Sequence, residues 1–156
     1  LDPVGFHKHD HSKCIQECLT AADEQCSDKG VRLTPVRRRT LEILLQDHRA
    51  LGAYDLLDKL REEGLGSQPP VIYRALDFLT EHGFAHKIER LNAFVACSHP
   101  GESHAPSFLF CRECSTVAEA AHGAFEAIAE DQAKAVGFVA ERVMVEIEGL
   151  CPDCRG

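Results

Sequence analysis

Residues 53–83 read AYDLLDKLREEGLGSQPPVIYRALDFLTEHG, and this stretch decides the fold of the first two thirds of the chain. From Ala53 onward, Tyr54, Leu56, Leu57 and Leu60 recur at helical spacing, and Glu62-Glu63-Gly64 closes the segment. A turn follows over residues 64–67. Pro69-Pro70 then suit the first positions of a helix, where no intrahelical amide bond is lost, and the periodic run from Val71 to His82 is stopped by Gly83. Two helices joined by a short glycine-containing turn, the second opening on exposed polar residues, predict a helix-turn-helix.

The flanking sequence completes that unit. Upstream, Arg32-Leu-Thr34-Pro35 is a helix start in which Thr34 caps the open amides and Pro35 takes the first helical position. The predicted helix reaches about residue 47, with Val36, Thr40, Ile43 and Leu44 inward and the arginines outward. Before it, Ile15, Cys18, Leu19, Ala22 and Cys26 recur at helical spacing and predict a first helix over residues 15–28, ending before Gly30. Downstream, residues 85–89 and 93–96 are short β-type runs separated by Arg90-Leu-Asn92, the pattern of a hairpin. Helices finished by a hairpin predict a winged helix over residues 13–97. Residues 1–12, with His7, His9 and His11 and no hydrophobic period, are expected to be a disordered leader. Cys14 and Cys18 are spaced i,i+4, so they share a helix face with each other and, a turn earlier, with His11. That arrangement suits an opportunistic metal site, although a frayed leader ahead of a helix that carries cysteines is the plainer reading.

Residues 98–106 hold two prolines, a glycine and two histidines and form the expected hinge. Beyond it, strands at 107–110 and around 116–120, a helix over 123–136 and an alternating strand over 138–147 predict a small α/β domain across residues 107–156. Two Cys-x-x-Cys hooks, Cys111/Cys114 and Cys151/Cys154, stand 36 residues apart at its ends. Four thiolates delivered as two hooks are the ligand set of a closed, structural tetrahedral zinc site. Paired disulfides compete with this reading, but in a reducing cytosol eight cysteines are better explained by metal. The fold class is therefore α+β: an N-terminal winged helix-turn-helix and a small C-terminal α/β domain with a four-cysteine zinc.

Composition narrows the partners. The chain has 156 residues, 44% hydrophobic and 27% charged, an ordinary globular balance. No apolar run approaches the roughly 18 residues of a membrane span, and residues 1–12 lack the basic-then-apolar layout of a secretory signal, so a cytosolic chain is expected. The net charge of −8 is unevenly placed: residues 29–90 carry 11 Lys/Arg against 9 Asp/Glu, and residues 91–156 carry 4 against 10. Arg32, Arg37, Arg38 and Arg39 are the densest basic spot. They suit phosphate, or equally a solvated helix face.

A second set of ligand-type residues, His86, Cys97, His99, His104 and Glu119, surrounds the hinge. Singly, each is more simply a solvated histidine, a small buried thiol or a surface carboxylate. Taken together, their mixed S, N and O donors suit zinc, and one ion held by both sides of the hinge would act as a switch.

These motifs resemble the ferric uptake regulator family, and within it the zinc uptake regulator branch. Arg32-Leu-Thr-Pro-Val-Arg37, Ala53-Tyr-Asp-Leu-Leu-Asp58, Pro69-Pro-Val-Ile-Tyr-Arg-Ala-Leu-Asp-Phe78, Gly83-Phe-Ala-His-Lys87 and the two hooks fall in family order over about residues 15–154. The resemblance implies a C-terminal dimerisation domain, a structural zinc on Cys111, Cys114, Cys151 and Cys154, and a regulatory zinc on His86, Cys97, His104 and Glu119, two ions per chain. It further implies a homodimeric repressor that binds an inverted-repeat DNA operator. Tyr73 and Arg74 match the recognition-helix dipeptide of the family; Tyr54, Arg32 and Arg37 are expected to contact DNA beside it, and the resemblance implies that Asp58 and Arg61 pair neighbouring dimers on DNA. The stretch Ser98-His-Pro-Gly-Glu-Ser-His104 stands where iron and peroxide sensors usually carry a His-Asp-His run, which favours the zinc branch. The chain departs from the usual pattern in Val71, where the family commonly has threonine, and in Val36, where it has glutamine.

Three other readings compete. Another metal or peroxide sensor of the same family and a zinc-stabilised interaction module that does not touch DNA both fit the composition. A zinc hydrolase or deaminase does not, since no His-x-Glu occurs and Pro152 lies inside the second hook.

Overall fold

A computed structural model of the chain describes residues 11–46, 48–66, 68–98, 100, 107–120 and 123–156, the side chains of residues 11 and 124 excepted. The expected leader up to residue 10, His99, His104 and most of the expected hinge lie outside the described residues. The chain forms two compact units, one built from the elements before residue 98 and one from those after residue 106.

The first unit contains helices α1 (His11–Lys29), α2 (Pro35–Leu45), α3 (Ala53–Glu62) and α4 (Pro69–Glu81), followed by strands β1 (Ala85–Ile88) and β2 (Ala93–Ala96). Helix α1 starts at His11, four residues earlier than the periodicity of its apolar positions indicates, and Ser12 and Lys13 at its start are exposed. At α2 the Thr34 hydroxyl accepts from the Arg37 amide at 3.4 Å and Pro35 occupies the first turn, as its sequence predicts. Helix α3 opens at Gly52, whose amide donates to the Asp55 carboxylate at 3.3 Å.

Helices α3 and α4 stop by the same device. Gly64 and Gly83 adopt φ of +72° and +74°, which lets the following amide turn back. The Leu65 and Phe84 amides then donate to the carbonyls of Leu60 and Leu79, at 2.9 and 2.8 Å, closing orphan carbonyls at each helix end. The core is an aliphatic cluster in which Leu41, Leu44, Leu56, Leu57, Leu60, Ile72, Leu76 and Leu79 are fully buried. Each such side chain stabilises the unit by roughly 1.5–3 kcal/mol. Tyr54 is not part of it: Ala53, Leu56, Leu57 and Leu60 form the buried stripe, and Tyr54, one residue round the helix, is 62% exposed. The wing pairs β1 with β2 antiparallel, Ala85 opposite Ala96 and Ile88 opposite Ala93, through a short 3-10 turn that ends on Asn92 in the left-handed region. Leu51 adds a third, isolated bridge to Phe94, each amide donating to the other's carbonyl at 2.9 and 2.8 Å.

In the second unit β3 (Ser107–Cys111) is central, pairing antiparallel with β4 (Val117–Glu119) and parallel with β5 (Val145–Gly149), while α5 (Ala124–Ala135) lies on the connection. The predicted strand over residues 138–147 is corrected to Val145–Gly149. A strand persists only where a neighbour takes its backbone bonds, and β3 offers five residues, Ser107 opposite Val145 through Cys111 opposite Gly149. Phe125, Ile128, Phe138, Val139, Met144 and Leu150 remain exposed on this unit. No described helix of the chain is long and apolar enough to cross a membrane.

Candidate metal centre

The parallel pairing of β3 with β5 builds the first site. Because Cys111 is opposite Gly149, the chain leaves both strands at the same end of the sheet and each exit becomes a hook. The Arg112 amide donates to the Gly149 carbonyl at 2.9 Å, tying the hooks at their roots. Within each, a turn closes: the Ser115 amide donates to the Cys111 carbonyl at 2.9 Å, and the Cys154 amide to the Cys151 carbonyl at 3.1 Å. The sulfurs of Cys111, Cys114, Cys151 and Cys154 all lie within 4.8 Å of one another, with Cys114 Sγ 3.7 Å from Cys151 Sγ. Zinc–sulfur bonds of about 2.3 Å in a tetrahedron hold sulfurs about 3.8 Å apart, so the set fits a four-thiolate ion with no open position. None of the eight cysteines is in a disulfide.

The backbone prepares the ligands. Amides of Cys114 and Cys151 aimed at its sulfur, followed by that of Glu113, lower the Cys111 thiol to about 6. Cys114 is likewise lowered, first by the Thr116 hydroxyl, whose oxygen lies 3.1 Å from Cys114 Sγ and which donates to the thiolate form. Cys154 is pushed up to about 12, first by its hydrogen bonds to Cys151 and Cys114, so without an ion it keeps the proton its neighbours share. Thr116 was not singled out from sequence; a hydroxyl two residues beyond a Cys-x-x-Cys hook is the signal that marks it.

Two of the other predicted ligands are in the wing. His86 is opposite Val95, and Cys97 is two residues beyond Val95, so both side chains belong to one face of the hairpin as diagonal neighbours. A ring nitrogen of His86 and Cys97 Sγ lie within 4.8 Å of each other. The Cys97 amide donates to the Phe84 carbonyl at 2.9 Å, which holds the thiol in place just past the strand end. Glu119 closes β4 and is buried, unusual for a carboxylate. His104 lies outside the described residues.

The predicted DNA contacts separate into two groups. Tyr73 and Arg74 project from the first turns of α4 and are exposed, as are Arg32 and Tyr54. Arg37 is held: its guanidinium donates to the Arg32 carbonyl at 2.7 Å and lies 3.9 Å over the Phe78 ring. Arg38 is paired with Asp23 at 2.7 Å and Arg39 with Glu42 and Glu63. The run of arginines is therefore largely neutralised within the unit, in place of the outward basic cluster read from sequence. Asp58 and Arg61 lie on the exposed side of α3, 3.7 Å apart.

A winged helix-turn-helix joined to a second unit that carries a four-thiolate centre defines a metal-binding winged-helix protein. Residues 28–148 match the model of the ferric uptake regulator family, and the chain belongs to that family. It is 39% identical over 140 residues to the zinc uptake regulation protein of Escherichia coli (strain K12), a match that covers 89% of this chain and 82% of that protein. Among solved structures, a zinc uptake regulator complexed with zinc and DNA is 39% identical, with a TM-score of 0.86 over 90% of this chain and 95% of the other. Holo XcZur is 40% identical, with a TM-score of 0.81 over 89% and 97%.

Proposed function

We propose that this chain is a zinc-responsive transcriptional repressor, a regulator and not an enzyme, which acts in the cytosol as a homodimer on an inverted-repeat operator of zinc-homeostasis genes. The observation that carries the reading is the pairing of an exposed recognition helix with a closed four-thiolate centre, in a chain 39% identical to a regulator solved with zinc and DNA. Cys111, Cys114, Cys151 and Cys154 would hold a structural zinc, whose coordination contributes folding free energy on the order of 10 kcal/mol to a small unit. His86, Cys97, His104 and Glu119 would hold a second, regulatory zinc. Its support is the His86–Cys97 pair on one face of the wing and the donor type of Glu119, a buried carboxylate.

The residues have separate tasks. Arg74 offers two parallel N–H donors that match a guanine edge, and Tyr73 beside it offers an apolar ring to a thymine methyl or a hydroxyl to a phosphate. Arg32 and Tyr54 position the backbone, and Arg37 presents the charge left over from its contact with Phe78. The exposed apolar residues of the second unit, among them Phe125, Ile128 and Phe138, suit burial against a second copy. Asp58 and Arg61 form an exposed ion pair that neighbouring dimers could exchange. Zinc bound at the regulatory residues favours the form in which both recognition helices of a dimer meet the operator, a shift in population rather than a new contact with DNA.

The test is binding of the metal-stripped and zinc-loaded full chain to an inverted-repeat duplex across a salt series. Zinc-dependent affinity with a steep salt slope supports the repressor reading. Equal binding with and without zinc overturns the switch, and no binding in either state favours a zinc-stabilised interaction module.

A further inference from the structure

Helix α1 carries a thiol pair that neither the four-thiolate centre nor the wing uses. Cys14 and Cys18 are spaced i,i+4 on one face of α1 and both are half-buried. Cys18 also packs, partly buried, against the aliphatic core of the first unit. The outer flank of the same turns is solvated: Lys13 pairs with Glu17 at 3.8 Å, and Gln16 donates to the Thr20 hydroxyl at 3.4 Å. The two sulfurs thus lie at the seam between core and solvent, reachable from one side.

Two chemistries suit adjacent thiols, and geometry separates them. A disulfide needs Cβ atoms about 3.5–4.5 Å apart. Residues at i and i+4 of a helix hold theirs about 5–6 Å apart, so bond formation would have to unwind a turn. A two-coordinate ion has no such conflict, because two metal–sulfur bonds of about 2.3 Å set end to end span about 4.6 Å. Burial, then the neighbouring Cys14, push the Cys18 thiol up to about 12. Peroxide reacts through the thiolate and gains little there, whereas a soft cation competes for the proton directly.

We propose that Cys14 and Cys18 form a two-coordinate site on α1 for a soft monovalent cation of the Cu(I) class, separate from the four-thiolate centre. Two thiolates satisfy a linear d10 ion but leave zinc two ligands short. Binding takes in one Cu(I), releases the two thiol protons and transfers no electron. The site joins the first and second turns of α1 and pins a helix whose inner face, Leu19, Ala22 and Cys26, packs on the core of the DNA-binding unit.

The test titrates the zinc-loaded full chain with Cu(I) delivered from bicinchoninate under anaerobic conditions, with released zinc read by an indicator in the same cuvette. The wild type takes up one Cu(I) per chain before any zinc is released. Cys14→Ser and Cys18→Ser bind that first equivalent at least about 100-fold more weakly, since the second ligand's effective concentration is lost. The double variant Cys18→Ser/Gln16→Cys keeps the thiol count, moves the second sulfur off the face of Cys14 and stays as weak as the single variants. Uptake of copper only in step with zinc release, or equal uptake by the wild type and all three variants, overturns the proposal. Far-UV circular dichroism of each variant confirms that α1 is intact.

Discussion

Arg39 of α2 holds Glu63, which caps the C-terminal end of α3, through a two-pronged pair: its Nε donates to the carboxylate at 2.8 Å and a terminal nitrogen at 2.6 Å, while the other terminal nitrogen reaches Glu42 at 2.9 Å. The pair fastens the start of the helix-turn-helix turn to the preceding helix. A planar guanidinium gripping a carboxylate with two bonds fixes orientation as well as distance.

Loosening that clamp will lower stability modestly and in a pH-dependent way. The Arg39 guanidinium holds the Glu63 carboxyl below its ordinary value of 4.5, so its contribution is fully present above that value and is lost as pH falls through the lowered folded value. Glu63→Gln is therefore expected to lower Tm by a few degrees at neutral pH, with the gap from wild type closing in acid. A gap that is unchanged at acid pH would show that the ion pair is not its source.

Leu60 of α3 is fully buried in the core of the first unit, and Leu60→Ala should cost about 2–5 kcal/mol in denaturant unfolding of that unit. The zinc content of the second unit should stay unchanged, because its four cysteines all come from elements after residue 106.

Thr116→Val removes the hydroxyl beside Cys114 Sγ while keeping the shape of the side chain. Zinc at the four-thiolate centre should bind about 10–100-fold more weakly in a chelator competition. Acid should release it as well: thiolates bind metal and thiols do not, so affinity falls with pH, most steeply once the easily ionised Cys111, at about 6, is protonated.

Arg74→Ala and Arg32→Ala should fail differently on DNA. Loss of Arg74, exposed near the start of α4, should cost about 1–3 kcal/mol and relax the preference at one base pair. Loss of Arg32 should weaken all sequences alike and reduce the salt slope by about 1. Operator binding by both variants to matched and mutated duplexes separates the two roles.

Local signals were legible and long-range partners were not. Thr34-Pro35, Pro69-Pro70, Gly64 and Gly83 mark helix ends by chemistry that acts within a turn, and the structure has its helix boundaries at each of them. That the two cysteine hooks come together was legible because hook spacing reports on local geometry. By contrast, Arg38 finds Asp23 15 residues away and Arg39 finds Glu63 24 residues away, pairings that no spacing rule reveals, so the arginines read as outward charge. Phe138 and Val139 belong to a run that reads as a strand, yet the parallel pairing with β3 begins only at Val145, opposite Ser107. Tyr54 shares the helical spacing of Leu57 and Leu60, but one position round α3 sets it outside the buried stripe.

In the proposed repressor, a permanent zinc on the four cysteines and a regulatory zinc that includes Cys97 divide the labour. The most direct measurement is metal content together with operator affinity for wild type and Cys97→Ser, both purified with zinc. The wild type is expected to hold two zinc ions per chain and the variant one, with the variant's operator affinity collapsing toward that of the metal-stripped protein while its fold persists. Loss of all zinc from Cys97→Ser, or operator binding by that variant equal to wild type, would contradict that division of labour.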